Sequence, residues 1–313
     1  MRLSFVLAVL FFKLQTYAAI NPHAELPGRD VVVAIIDTGA DLKHRELQDY
    51  IWTNPGEFGL DQNGNDKSNN GVDDDDNGFV DDLHGWNFVD NKPQVEDSNG
   101  HGTHIAGIIK GESSKNSPDG KSHVRLMILK YYNPEGTDTQ NIENTVKAIN
   151  YAVKMKARVI NYSGGGSLPN AQELEALKKA EKARILVVAA AGNNNNNTDL
   201  TKYFPANYPL KNIISVAATN NSGELVAFSN YGPQSIEVAA PGERILSSLP
   251  GGKYGFMSGT SQATAYVSGF VARQLASRTI TPTSDEMLFK ILDRSSFKNS
   301  LAGKTKFQMA LLE

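Results

Sequence analysis

The sequence predicts an α/β fold, in which a doubly wound, mostly parallel sheet carries helices on both faces. Three observations favour this fold class. Several short runs are almost continuously apolar, helix-like segments separate them, and polar residues follow the runs directly. Alternation of strands and helices is typical of parallel sheets that are covered on both sides.

The apolar runs predict strands. Each run is short and apolar almost throughout, which indicates a strand buried on both faces rather than one with a solvated side. The predicted strands are Val31–Ile36, Val124–Leu129, Arg158–Ile160, Ile185–Ala190 and Ile213–Ala217.

Helices are predicted between the strands. Apolar residues recur at helical spacing in Gln140–Lys156 and in Ala171–Lys182. A further helix is expected to start beside His101, and another beside Ser261. Because neither a repeat nor an interdomain linker interrupts the chain, one domain is expected over residues 20–313.

The composition excludes several classes of site. The chain has 313 residues and a formal net charge of −3, with charges of both signs spread along it. This balance argues against a nucleic-acid partner. The chain contains no cysteine, which excludes disulfides, thiolate metal sites and a cysteine nucleophile.

Residues 1–19 have the pattern of a secretory signal peptide. Arg2 precedes the apolar run Leu3–Phe12, and Thr16–Ala19 offers a small-residue cleavage site. Lys13 ends the apolar run too early for a membrane span. We therefore expect a secreted or periplasmic protein, monomeric and without a membrane anchor once the signal is cleaved.

Polar residues follow three of the predicted strands. Asp37 comes directly after the first run, Ser163 closely follows the third in chain order, and Asn193 follows the fourth. Ligands of open α/β sheets bind outside the carboxyl ends of the strands. These side chains are therefore expected to meet at one edge of the sheet, which predicts an enzyme.

The sequence also offers candidates for a nucleophile and its base. Ser258 and Ser261 both precede an apolar helical face, and Ser261 lies where the helix dipole favours developing negative charge. A serine hydroxyl needs an adjacent base, for which His101 between two glycines is the candidate. Asp37 would hold the imidazole in the correct tautomer.

The alternative for the histidines is a metal site. His101 and His104 stand three residues apart. No glutamate follows in the metalloprotease pattern, and no third ligand is suitably spaced. Zinc is therefore disfavoured, and His104 is expected to pack within its helix.

Three blocks of the chain resemble the subtilisin-like serine proteases, the subtilase or peptidase S8 family. They are Asp37-Thr38-Gly39, Asn99–His104 and Gly259–Ala263, and the order Asp, His, Ser is known for this family. The resemblance implies a serine endopeptidase with Asp37, His101 and Ser261 as its triad. It further implies that Asn193 and the Ser261 amide bind the oxyanion.

The same resemblance implies polypeptide substrates that lie extended along Ser163, Gly164 and Gly165. Main-chain hydrogen bonds to an added strand explain the use of glycine there. Many relatives carry a bulky apolar residue where this chain has Gly164. A more open side-chain pocket is therefore expected.

Departures from the family pattern leave alternatives open. Gln262, Ala265 and Tyr266 stand where relatives usually carry Met, Pro and His. One alternative is a catalytically impaired subtilase that acts as a calcium-stabilised binding module, and another is a serine hydrolase of esters. Only residues 20–36 separate the predicted signal from Asp37, so no prodomain is recognisable and folding without one is expected.

An acidic segment predicts a structural calcium (Ca²⁺) site. Acidic residues alternate ahead of a glycine, as at the start of an EF-hand loop, although position twelve is His84 instead of glutamate. A solvated acidic turn is the competing interpretation. The expected ligands are Asp73, Asp75, Asn77, the Phe79 carbonyl and Asp82, with Asp81 as an alternative to Asp82.

Overall fold

Nine strands form the central sheet of the computed structural model, which describes residues 30–115, 123–277 and 282–312. The predicted signal peptide lies outside the described residues. The strands are β1 (Val31–Asp37), β2 (Gly85–Asn87), β3 (Val124–Lys130), β4 (Val159–Tyr162), β5 (Leu186–Ala190), β6 (Ile213–Thr219), β7 (Val238–Pro241), β10 (Ser296–Phe297) and β11 (Met309–Ala310).

The strand order in the sheet is β10-β11-β7-β6-β5-β4-β1-β3-β2. Every neighbouring pair is parallel except β10 with β11. All five predicted strands are confirmed, as β1, β3, β4, β5 and β6, with ends that shift by at most two residues. Two further strands, β8 (Ile245–Leu249) and β9 (Lys253–Met257), form a separate antiparallel hairpin.

The helices are α1 (His101–Ser113), α2 (Asp138–Lys154), α3 (Ala171–Lys182), α4 (Thr260–Ala276) and α5 (Ser284–Asp293). The predicted bounds of α3 are confirmed. The structure starts α2 two residues before the predicted Gln140, because Thr137 and Gln140 form a capping box around its first turn. In the ranges that the structure describes, no helix is both long and apolar enough to cross a bilayer.

Helices cover both faces of the sheet, as a doubly wound fold requires. Successive side chains of a strand point to opposite faces. In β1, Val33 and Ile35 therefore belong to an apolar cluster with α1 and α4. Ala34 and Ile36 join the opposite cluster, with α2 and α3. This double burial explains why the strand is apolar without interruption.

The carboxyl ends of β1, β4 and β5 lie side by side in the sheet. Asp37 is the last residue of β1, Ser163 directly follows β4, and Asn193 comes shortly after β5. The first turn of α4 lies against the same edge, since Ser261 hydrogen-bonds to Ser163. The topology thus brings together the polar residues that the sequence placed at strand ends.

Candidate active site

Asp37 and His101 are held in direct contact. Asp37 is 3% exposed at the end of β1, and its Oδ1 lies 2.7 Å from Nδ1 of His101, the first residue of α1. The backbone N–H of Thr38 donates to the same carboxylate oxygen at 2.8 Å. Gly102 permits this approach, because a Cβ atom there would collide with the carbonyl oxygen of Gly39.

The contact fixes which nitrogen of His101 is basic. A carboxylate only accepts hydrogen bonds, so Nδ1 carries the proton and Nε2 is left to accept one. Burial lowers the pKa of His101, but the charge and hydrogen bond of Asp37 outweigh burial and leave that pKa raised. The pair can therefore act as a base that is strengthened by its carboxylate.

Ser261 lies in the first turn of α4 and is 7% exposed. Its Oγ donates to the carbonyl oxygen of Ser163 at 2.9 Å, and Ser163 Oγ donates back to the Ser261 carbonyl at 3.2 Å. Among the described residues, no hydrogen bond joins Ser261 to His101. Proton transfer to His101 thus requires the hydroxyl to leave the Ser163 carbonyl.

Asn193 is oriented by the residue that precedes Ser261. Its Oδ1 accepts hydrogen bonds from the backbone N–H and the hydroxyl of Thr260, at 2.9 and 3.0 Å. Because a backbone N–H can only donate, the Asn193 atom facing it must be the oxygen. The amide nitrogen Nδ2 is thereby left to donate to a ligand. The sequence did not indicate this role of Thr260.

Asp97 is a second buried carboxylate that the sequence analysis missed. It accepts hydrogen bonds from the Thr38 hydroxyl, the N–H groups of Asn99 and Gly100, and both the N–H and hydroxyl of Thr103. These donors belong to the loop after β1 and to the start of α1. Asp97 therefore fixes the two segments that carry Asp37 and His101. Its position four residues before His101 was the available signal.

Comparison with known proteins places this arrangement in a family. The model of the subtilase family matches residues 28–301. The chain is 34% identical over 279 residues to the intracellular serine protease of Paenibacillus polymyxa, covering 86% of this chain and 74% of that protein. It is 35% identical over 252 residues to the major intracellular serine protease of Bacillus subtilis (strain 168), covering 78% and 68%.

A solved structure agrees with these relatives. The crystal structure of a cold adapted subtilisin-like serine proteinase superposes with a TM-score of 0.68 at 25% identity, covering 93% of this chain and 91% of that one. The chain belongs to the subtilase family. This subtilase is a serine-type endopeptidase, which confirms the enzyme class predicted from the sequence.

The segment expected to bind substrate lies beside Ser261. Ser163, Gly164 and Gly165 directly follow β4, and Ser163 contacts Ser261. Gly164 does not open a pocket, however, in the part of the chain that the structure describes. A Cβ atom at Gly164 would collide with the hydroxyl of Tyr131. Tyr131 directly follows β3, and its side chain fills that space.

The three residues that depart from the family pattern belong to α4, and their side chains are buried. Gln262 and Ala265 are buried, and Tyr266 is 9% exposed with its hydroxyl 3.4 Å from the ammonium of Lys115. The Asp37–His101 hydrogen bond forms in their presence. His104 is likewise buried within α1, as expected, and its Nε2 donates to carbonyls of the β8–β9 hairpin.

The acidic segment of the subtilase forms a cluster with a different membership from the predicted one. Carboxylate oxygens of Glu57, Asp73 and Asp75 lie within 4.8 Å of one another. Glu57 is fully buried. One of its oxygens accepts from the Asp74 N–H at 2.8 Å, and Oε2 has no hydrogen-bond partner among the described residues. An all-oxygen set with an unpartnered buried carboxylate fits a hard cation such as Ca²⁺.

Other predicted ligands serve in a neighbouring network. Asp82 is buried and accepts hydrogen bonds from Asn54, Asn77 and Tyr151. The amide oxygen of Asn77 accepts from the Phe79 N–H at 2.8 Å. Phe79 packs its ring edge-on against Tyr151 at 4.9 Å between ring centres. These contacts support the loop beside the cluster, to which Glu57 adds a carboxylate that the sequence did not predict.

Proposed function

We propose that this subtilase cleaves peptide bonds with Ser261 as nucleophile, His101 as general base and acid, and Asp37 as the residue that orients His101. The observation that carries the proposal is the 2.7 Å hydrogen bond between Asp37 and His101. It leaves Nε2 of His101 as the ring nitrogen that can accept a proton.

The proposed steps follow from this geometry. Ser261 Oγ attacks the substrate carbonyl carbon while Nε2 of His101 takes the hydroxyl proton. The carbonyl oxygen becomes negatively charged and accepts hydrogen bonds from Asn193 Nδ2 and the Ser261 N–H. His101 then protonates the leaving amine as the C–N bond breaks, which leaves an acyl-enzyme. Water attacks that ester by the same route and releases the acid.

Substrates are proposed to be polypeptides that lie extended beside Ser163–Gly165. The segment emerges from the end of β4, so its backbone groups are available to an added strand. Hydrolysis of casein by the full chain tests the activity. Ser261→Ala is expected to abolish hydrolysis, whereas Ser258→Ala, which changes an exposed hydroxyl three residues away, is expected to retain it.

Two further readouts separate the alternatives. A fluorophosphonate is expected to label Ser261 covalently, and a catalytically impaired binding module would not be labelled. Hydrolysis of matched peptide and ester substrates is expected to depend on Ser261 to the same extent. Turnover of esters with no turnover of any peptide would make the protein an esterase.

We also propose that Ca²⁺ binds the cluster of Glu57, Asp73 and Asp75. Support comes from the buried Oε2 of Glu57, which no described residue hydrogen-bonds, and from its closeness to the two aspartates. Burial raises the pKa of Glu57 to about 7, opposed by the Asp74 N–H and reinforced by the charges of nearby aspartates. A cation that binds only the folded state adds stability. Excess chelator is therefore expected to lower the melting temperature, and an unchanged temperature would contradict the proposal.

Export remains a proposal that rests on residues 1–19. Two of the relatives are named as intracellular proteases, which describes those proteins. Fractionation of cells that express the full chain tests the proposal. We expect a shortened mature protein outside the cytoplasm, and a full-length protein in the cytoplasm would contradict it.

A further inference from the structure

The active-site geometry defines where the substrate residue on the acyl side of the scissile bond must lie. Its carbonyl carbon meets Ser261, and its carbonyl oxygen meets Asn193. Ser261 is tied to Ser163 at 2.9 Å, and Thr260 is tied to Asn193 at 2.9 Å. The side chain of that residue therefore enters between the segment after β4 and the loop after β5.

Tyr203 occupies the space between these two segments. A Cβ atom added to Gly165 would lie 2.7 Å from Cε1 of Tyr203, and one added to Gly192 would lie 3.0 Å from Cδ2 and from Cε2. Cε1 is on one edge of the ring, and Cδ2 and Cε2 are on the other. The ring is thus wedged between two glycine backbones, one in each wall.

The backbone that carries the Tyr203 ring is anchored by hydrogen bonds. Its N–H donates to the side-chain oxygen of Asn207 at 2.8 Å, and its carbonyl accepts from the Asn207 N–H at 2.9 Å. The next residue, Phe204, exchanges both backbone hydrogen bonds with Gly166 at 2.9 and 2.7 Å. The chain that carries the ring is therefore paired directly to the wall after β4.

We propose that Tyr203 closes the pocket for the acyl-side residue and restricts cleavage to bonds that follow glycine or alanine. A larger side chain would need the space that the ring fills, and the two edges of the ring lie against Gly165 and Gly192. The proposal rests on the catalytic roles given above for Ser261 and Asn193. A mismatch of a single methylene already changes discrimination about 10- to 200-fold in such pockets.

The test compares internally quenched peptides that differ only in the acyl-side residue, which is Gly, Ala, Leu or Phe. The full chain is expected to cleave the Gly and Ala peptides with a kcat/KM at least about 10-fold above that for Phe. Tyr203→Ala is expected to reverse that ratio, whereas Tyr203→Phe is expected to keep it. Phe289→Ala, which removes an exposed ring on α5, is the control and is also expected to keep the ratio.

A wild-type preference for Leu or Phe would overturn the proposal. So would a Tyr203→Ala variant that reacts with a fluorophosphonate as the wild type does but keeps the small-residue ratio. If Tyr203→Ala does not fold, Tyr203→Leu shortens the same side chain and is judged by the same ratio. A wild type that neither reacts with the fluorophosphonate nor cleaves any peptide would defeat the proposed function itself, whereas labelling without the preference defeats the role of Tyr203 alone.

Discussion

Two buried carboxylates differ in how the protein stabilises them. Asp97 lies at the catalytic edge, the edge of the sheet that carries Asp37 and His101, and Glu57 lies in the acidic loop with Asp73 and Asp75. Asp97 is 7% exposed and accepts five hydrogen bonds from backbone and hydroxyl donors. Glu57 is fully buried and, in the part of the chain that the structure describes, accepts one hydrogen bond and leaves Oε2 without a partner. An unpaired charge is costly to bury, whereas a hydrogen-bonded charge is tolerated.

The pKa values of the two groups differ accordingly. Burial raises the pKa of Asp97, but its donors outweigh burial and leave it lowered. Burial raises the pKa of Glu57 to about 7, and one donor does not offset it. The carboxylate of Asp97 is thus neutralised by donors of the protein itself, whereas the carboxylates of Glu57, Asp73 and Asp75 form the cluster for which we propose a cation. Calcium should therefore affect stability without entering catalysis.

The largest effect is expected from Asp37→Asn. The asparagine keeps the shape but favours the wrong tautomer of His101, a change that costs about 10⁴ in kcat in serine proteases. The loss should be equal in calcium and in chelator at a temperature where both samples are folded. Asp49→Asn, which changes an exposed carboxylate, is the control. A loss that depended on calcium would break the separation between the two regions.

The pH profile of the same variant sharpens this prediction. His101 acts as a base only when neutral, and its pKa is raised by Asp37. Activity of the wild type should therefore fall, as the pH decreases, through a pKa above the ordinary value of about 6.5. In Asp37→Asn the acid limb of kcat/KM should move to lower pH. An unmoved limb would mean that Asp37 does not control the basicity of His101.

Asn193→Ala is expected to have the next largest effect. Loss of one oxyanion donor costs about 10²–10³ in kcat, a magnitude known from subtilisin itself. KM should change little, because the donor acts mainly on charge that develops in the transition state. Asn196→Ala, in the same run of asparagines, is the matched control. Equal losses in both variants would assign the effect to the loop instead of to the Asn193 amide.

Asp97→Asn tests how the catalytic edge is held. The new amide would direct a donor at the N–H and hydroxyl of Thr103. We therefore expect the free energy of unfolding to fall by about 2–3 kcal/mol. Because the pKa of Asp97 is lowered, its contribution is complete above the unfolded value of about 3.9 and is lost as the pH falls below it. Denaturant unfolding of wild type and variant should show a difference in the free energy of unfolding that is smaller at pH 3 than at pH 7. Glu96→Gln, which is exposed, should show neither effect.

The sequence predicted the parts of the site that depend on local pattern. Apolar runs indicated β1, β4 and β5, and the polar residues after them indicated the shared edge. Contacts between distant segments were not predictable in this way. Glu57 joins the acidic cluster from sixteen residues before Asp73. Tyr131 and Tyr203 come from other segments to lie against Gly164 and Gly165. No periodicity encodes such contacts, because tertiary packing alone sets them.

The smallest effect is expected from Glu57→Gln, which tests the comparison most directly. Its effect on stability should have one sign in chelator and the opposite sign in calcium. Because the folded pKa of Glu57 is about 7, its protonated form favours folding at low pH, and this contribution is lost as the pH rises through that value. At pH 8 in chelator, the uncharged glutamine should therefore stabilise the protein, by about 1–2 kcal/mol. In calcium it should instead reduce the stabilisation by the cation, because a charged ligand is missing. Thermal unfolding with and without calcium gives both values, and Asp76→Asn, which removes an exposed charge from the same loop, is the control. Destabilisation of equal size under both conditions would mean that Glu57 is an ordinary buried residue and that the loop needs no cation.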